Sequence, residues 1–281
     1  MLLGSLDTGG CPFLINTRES FEEFPTMLPT PHPPVNQLLQ DLLSELKKLL
    51  GADFAGLYLY GSLVTGDYDP EISDVDLLAA VTHDLNPAEF TALETMHLQL
   101  MSRAPQWDNR IEIAYVSLKA LRTFKTERSQ IGIISPGEPF NLKMAGIDWL
   151  MNWYVVREKG ITLWGPPPAE IIAPVSKEEF IDSLRDHARS WQAWIDKVYE
   201  RPYQSYVILT LCRALYAVVK GESVSKIQAA AWAQQELPQW AGLIANALIW
   251  RKDHPQNTDH AATLPLTRQF VSGVVPLILK T

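Results

Sequence analysis

Asp74 and Asp76 stand two positions apart at the head of the apolar run Leu77-Leu-Ala-Ala-Val81. In an extended strand that spacing puts both carboxylates on one face. Carboxylates so placed repel each other and raise each other's pKa unless a cation lies between them. Oxygen-only ligands suit Mg²⁺, which takes one or two carboxylates and leaves room for phosphate oxygens. Just upstream, the apolar Tyr58-Leu-Tyr60 ends in Gly61-Ser62. Gly61 lets the backbone approach a phosphate closely, and Ser62 adds a hydroxyl and an N–H. The stretch 58–81 therefore reads as a phosphate-and-magnesium site. The plain alternative is a surface hairpin with a polar turn.

Such a site needs strands to hold it. Phe54–Tyr60 and Asp74–Val81 are expected as two strands, and Arg110–Val116 as a third. On the third, Ile111, Ile113 and Tyr115 share one face and Glu112 the other. On strand evidence alone Glu112 reads as a solvated carboxylate paired with Arg110. Leucines at three- and four-residue steps predict a helix over about Val35–Leu50, and Pro87 opens another that reaches about Met101. The segment from Phe124 to Phe140 reads as loop, and 146–159 as a helix. Pro166-Pro-Pro168 marks a boundary, after which the chain reads as nearly all helical. Ser176-Lys-Glu-Glu179 is a capping-box pattern opening a helix towards Val198. Further helices are expected over 206–220, 224–235, 240–250 and 266–279. Residues 1–34 carry several closely spaced prolines and are expected to be irregular.

With 281 residues, 47% hydrophobic and 20% charged, the chain has the composition of a globular protein with room for one large domain or two. A formal net charge of −8 argues against general nucleic-acid binding and is compatible with a cationic substrate. The two cysteines, Cys11 and Cys212, are far apart and read as free thiols. No apolar run reaches spanning length, and a cytoplasmic setting is expected. The six histidines form no metal-ligand spacing, and no nucleophile elbow accompanies a Ser/His/Asp set.

Gly61-Ser62 closing one apolar run and Ser73-Asp74-Val75-Asp76 opening the next resemble the nucleotidyltransferase superfamily. Three later segments narrow the resemblance: Gly160-Ile-Thr-Leu-Trp-Gly-Pro-Pro167, Val207-Ile-Leu-Thr-Leu-Cys-Arg-Ala-Leu-Tyr216 and Lys226-Ile-Gln-Ala-Ala-Ala-Trp-Ala233. They look like the helical domain of aminoglycoside (3'')(9) adenylyltransferases, which modify streptomycin and spectinomycin. The resemblance spans about residues 36–250. It implies an α+β architecture: a polymerase-beta-like nucleotidyltransferase domain with a small mixed sheet over 35–165, and an all-α bundle over 166–281. A proline-rich extension over 1–34 precedes them.

The resemblance also implies roles. Asp74 and Asp76 would hold Mg²⁺, two ions being expected, while Gly61, Ser62 and Ser73 would meet the phosphates of ATP. Glu112 would be the catalytic base. Lys226 would reach the triphosphate from the second domain, where its plainer reading is an exposed helix lysine. Trp191 and Asp196 would face the aminocyclitol in the interdomain cleft. Glu200 would join Asp196 on one helix face if the helix continues, although a solvated acidic face explains the pair nearly as well. The family's loop tryptophan near streptomycin is missing, with Pro139-Phe140 in that neighbourhood, and its acidic residue before the Val207 block has no clear counterpart. Spectinomycin is thus the better supported acceptor. A monomer moving AMP from ATP to such a hydroxyl is the expected function. The alternatives are a nucleotidyltransferase acting on another small molecule or a protein, and a non-catalytic, antitoxin-like nucleotide-binding partner.

Overall fold

Residues 28–253 and 260–280 are described by the computed structural model. Helix α1 (Pro33–Leu50) leads into strand β1 (Phe54–Tyr60), the one-turn helix α2 (Ser62–Thr65) and strand β2 (Val75–Val81). Helix α3 (Pro87–Arg103), strand β3 (Ile111–Ser117) and the short α4 (Leu118–Thr123) follow. Next come β4 (Ser129–Ser135), β5 (Glu138–Ala145), α5 (Leu150–Lys159), β6 (Ile161–Trp164) and the single turn α6 (Pro168–Ile171). The remainder is helical: α7 (Lys177–Trp194), α8 (Arg201–Lys220), α9 (Lys226–Glu236), α10 (Ala241–Trp250) and α11 (Leu264–Lys280).

The six strands form one mixed sheet in the order β5-β4-β3-β2-β1-β6. Only β2 and β3 run parallel; the other neighbours are antiparallel. The parallel pair needs a crossover, and α3 supplies it. Alternate residues of the three central strands go to opposite faces. Leu57, Leu59, Leu77, Ala79, Ile113 and Tyr115 pack with the leucines of α1 and with Leu93, Met96 and Leu100 of α3. Tyr58, Leu78, Ala80, Ala114 and Val116 pack on the other side with Leu121, Trp153 and Val156. That second core continues through Phe180 and Ile181 of α7 to Ala217 of α8. A separate apolar core joins α7 to α11, with Leu211, Ile244, Phe270 and Val274 at its centre.

Three sequence expectations change. Helix α1 starts at Pro33, not Val35, because Pro33 and Pro34 occupy its first turn, where a missing N–H costs nothing. The segment 124–140 is not simply loop: β4 and β5 pair as a hairpin across Pro136-Gly137, and Gly137 takes φ 83°. Phe140 is buried on β5 and stacks on Phe90 of α3 at 4.6 Å, so it offers nothing to a ligand. The expected helix over 146–159 is regular only from Leu150, a 3₁₀ turn (Ile147–Trp149) standing before it. Cys11, most of the proline-rich start and His254 lie outside the described residues. Cys212 is buried with its thiol free. No helix among the described residues is long and apolar enough to cross a membrane.

Candidate active site

The carboxylate end of β2 and the start of β3 fix the centre of the site. Asp76 sits opposite Glu112 in the parallel ladder and opposite Tyr60 in the antiparallel one. Tyr60, Asp76 and Glu112 thus form a row across three adjacent strands, with Asp74 in the last loop position before β2. One oxygen from each of Asp74, Asp76 and Glu112 falls within a span of 4.8 Å. Oxygen donors so grouped fit a hard divalent cation.

Electrostatics bear the same mark. Burial pushes the Glu112 carboxyl up to about 7, with the negative Asp74 adding to the rise. The Tyr60 hydroxyl, hydrogen-bonded to Glu112, and the charge of Lys143 work against it. Burial also raises Asp76, helped by Asp74 and Glu112 and opposed by Lys226 and by the Ser62 N–H that it accepts. Tyr60 is held far above the usual phenol range, first by burial and then by the three carboxylates. Asp76 and Glu112, both raised beside the negative Asp74, make a place where a cation would be stabilised.

Gly61 turns out to have a different task from the one its position suggests. Its φ is 73°, and a Cβ there would lie 1.7 Å from Asp76 Oδ2. The close approach that demands glycine is therefore to the carboxylate. Ser62 opens α2, and its Oγ is buried without a hydrogen-bond partner, an orphaned donor at the cavity wall. Ser73 is buried, and its hydroxyl accepts the Asp69 N–H at 3.0 Å. Its carbonyl accepts from Arg110 Nη2 at 2.6 Å, so Arg110 braces the Ser73–Asp74 turn, not Glu112.

These groups open into a cleft of about 430 Å³ whose other walls come from α5, α8 and the stretch around α9 and α10. Helix α8 presents Pro202, Ser205, Tyr206, Leu209 and Arg213 along one side, and α5 presents Asn152, Val155 and Lys159. Lys226, half-buried at the start of α9, and Arg251 complete a cationic wall facing the acids. Burial, and then the neighbouring Arg213 and Arg251, lower the pKa of Lys226; burial does the same to Arg213. A carboxylate floor facing a cluster of desolvated cations can take a polyanion with its metal.

Gly61, Ser62, Ser73, Asp74, Asp76, Glu112 and Lys226 thus meet in one cleft. Trp191, Asp196 and Glu200 are not among its lining residues. Helix α7 ends at Trp194, a 3₁₀ turn covers Ile195–Lys197, and Glu200 is the N-cap of α8. The helix break means that Asp196 and Glu200 do not share a helical face. Asp196 is exposed and pairs with Arg268 at 2.9 Å. Trp191 packs edge-on to Tyr206 at 6.0 Å, one layer behind the cleft.

Sequence reading missed Tyr60, Asn152, Arg213 and Arg251. Arg213 alone left a signal, a charge in the middle of the apolar helix Val207–Val219. A histidine grouping was also missed: Asp53, His83 and Glu89 lie together at the opposite end of the sheet. His83 Nε2 meets Glu89 Oε1 at 3.1 Å, while the other Glu89 oxygen caps α3 through Asn86 N–H at 2.9 Å.

Fold and cleft together define a nucleotidyltransferase. Residues 39–130 match the nucleotidyltransferase domain family, and residues 170–273 match the C-terminal domain of aminoglycoside adenylyltransferases. The chain thus joins a nucleotidyltransferase domain to a domain of the kind that ends aminoglycoside adenylyltransferases. An aminoglycoside (3'')(9) adenylyltransferase of Rhizobium radiobacter is 26% identical over 266 residues, covering 86% of this chain and 93% of the relative. A spectinomycin 9-adenylyltransferase of Staphylococcus aureus is 28% identical over 214 residues, covering 73% and 79%. The crystal structure of a spectinomycin adenyltransferase from Enterococcus faecialis, with ATP and spectinomycin, superposes with a TM-score of 0.69 at 18% identity. It covers 85% of this chain and 98% of that one. That likeness is one of fold.

Proposed function

We propose that the protein moves AMP from ATP to a hydroxyl of an aminocyclitol such as spectinomycin, with streptomycin the weaker candidate, and releases pyrophosphate. The observation that carries this reading is the Asp74/Asp76/Glu112 group standing across one cleft from Arg213, Lys226 and Arg251. The relatives named above point to the same donor and acceptor class. Asp74 and Asp76 would hold Mg²⁺, which when bound supplies positive charge to the α-phosphate and the departing pyrophosphate.

The chain's own groups do the rest. Ser62 Oγ, orphaned in the structure, offers a hydrogen bond to a phosphate, and Lys226, Arg213 and Arg251 neutralise the triphosphate. Glu112 removes the proton from the acceptor hydroxyl. The freed oxygen attacks the α-phosphorus, the bond to the bridging oxygen of the β-phosphate breaks, and pyrophosphate leaves. Holding hydroxyl and phosphorus in line accounts for much of the rate.

The division into units 35–165 and 166–281, meeting at Pro166–Pro168, is part of this proposal, as is action by a cytoplasmic monomer. One observation favours a second reading, another hydroxylated acceptor: Asp196 is engaged by Arg268 outside the cleft, which removes one of the acids expected to attract a cationic drug. The test is pyrophosphate release from Mg²⁺–ATP with spectinomycin or streptomycin added separately, wild type beside Glu112→Gln. Turnover with spectinomycin, abolished in the variant, is the expected result. Bound ATP without turnover on either drug would move the reading to the second acceptor class.

A further inference from the structure

The loop between α2 and β2 carries acids at alternate positions, Asp67, Asp69 and Glu71, and each contacts the helical half. Asp67 Oδ2 accepts the Ile227 N–H at 2.9 Å, at the head of α9 and beside Lys226. Lys252, next to Arg251, sets its ammonium between Asp69 Oδ2 at 2.7 Å and Glu71 Oε2 at 2.8 Å. The loop is itself stiff. Asp67 N–H donates to the Ser62 carbonyl at 3.1 Å, Glu71 N–H to Asp69 Oδ1 at 3.0 Å, and Asp69 N–H to Ser73 Oγ at 3.0 Å. One end of this stitched segment is therefore tied to Ser62 and the other runs into Asp74.

We propose that Asp67, Asp69, Glu71 and Lys252 form an interdomain latch that sets Lys226 and Arg251 in register with Ser62 and the carboxylate group. The inference rests on the nucleotidyl-transfer reading and adds positioning residues to it. Asp69, Glu71 and Lys252 do not line the cleft, so they act on bound nucleotide only through the elements that they hold. Solvent-facing ion pairs are weak one by one. A few weak contacts at alternate positions together fix the register of the two halves.

Titration calorimetry with Mg²⁺–ATP tests this on the full chain, using wild type, Lys252→Glu, Asp69→Lys/Glu71→Lys, and the three changes combined. Each reversal alone weakens ATP binding about five-fold or more, of the order expected for a pair of such contacts, and the combination recovers it. In turnover assays KM for ATP rises while kcat holds. Lys252→Met serves where a reversal fails to fold, and shifts affinity in the same direction. Wild-type affinity in any folded single reversal, or no recovery in the combination, overturns the latch. Failure of the wild type itself to bind ATP overturns the nucleotidyl-transfer reading and the latch with it. Turnover and ATP binding in wild type with no effect of Lys252→Glu overturns the latch alone.

Discussion

Asp76 accepts a hydrogen bond from the Ser62 N–H while the α-carbon of Gly61 lies against its carboxylate, so residue 61 has no room for a side chain. Gly61→Ala would force a methyl to 1.7 Å from Asp76 Oδ2 at φ 73°. We expect loss of turnover and destabilisation of about 1–3 kcal/mol from the backbone strain, read by a thermal melt beside the pyrophosphate assay. Glu112→Gln should cost roughly 10²–10⁴ in kcat with ATP affinity largely kept. The same variant should melt higher than wild type at pH 8 without metal, because it removes a buried charge from a group of three. The sign follows from linkage: the folded carboxyl sits at about 7, above the usual 4.5. Its contribution is fully present below pH 4.5 and is lost as pH rises through 7. Mg²⁺ should therefore raise the melting temperature more at pH 8 than at pH 6, and its binding near pH 7 should release protons, measurable by calorimetry in buffers of differing ionisation enthalpy. An equal Mg²⁺ effect at the two pH values would contradict the assigned site.

The elements show why parts of the sequence were easy to read. In β1, β2 and β3 long apolar runs between turn residues gave bounds within a residue of those seen, since burial on both faces leaves little choice. Helices α7 and α9 begin at capping boxes, Ser176 with Glu179 and Ser225 with Gln228; the first was visible as a pattern. Replacing Ser176 by Ala should remove about 1 kcal/mol and lower the melting temperature by about 2–4 °C, leaving ATP affinity unchanged. A larger loss with weakened nucleotide binding would mean that α7 supports the cleft directly. The hairpin β4/β5 escaped because β5 is an edge strand carrying Pro139, Asn141 and Lys143, with one buried residue in its middle, Phe140. Its pairing comes from β4, not from its own pattern. The carboxylate group was legible because strand periodicity and family likeness converge on it. Asn152, Arg213 and Arg251 were not, because each is a single residue on its helix and only the packing of α5, α8 and α10 brings them together.

At the scale of the molecule, the two halves are not independent bodies. The second face of the sheet is covered partly by Ile171, Ile172, Val175, Phe180 and Ala217, all beyond Pro168. Tyr58 OH reaches the Pro166 carbonyl at 2.8 Å, and Lys159 Nζ bonds the Ser223 carbonyl. A chain ending at Gly165 should therefore melt broadly or aggregate, whereas full-length protein should unfold in one transition; calorimetry distinguishes them. Sequence reading placed a boundary at the prolines, and side chains from distant stretches pack across that point. Helix α8 adds a last consequence. It carries Arg213 near one end of the cleft and Pro202, Ser205 and Tyr206 two to three turns away. Tyr206 also stands beside Lys226, whose ammonium lies 5.9 Å from its ring centroid. One helix thus borders both the cationic wall and the rest of the cleft, and in the proposed reaction donor and acceptor would be hard to tune apart.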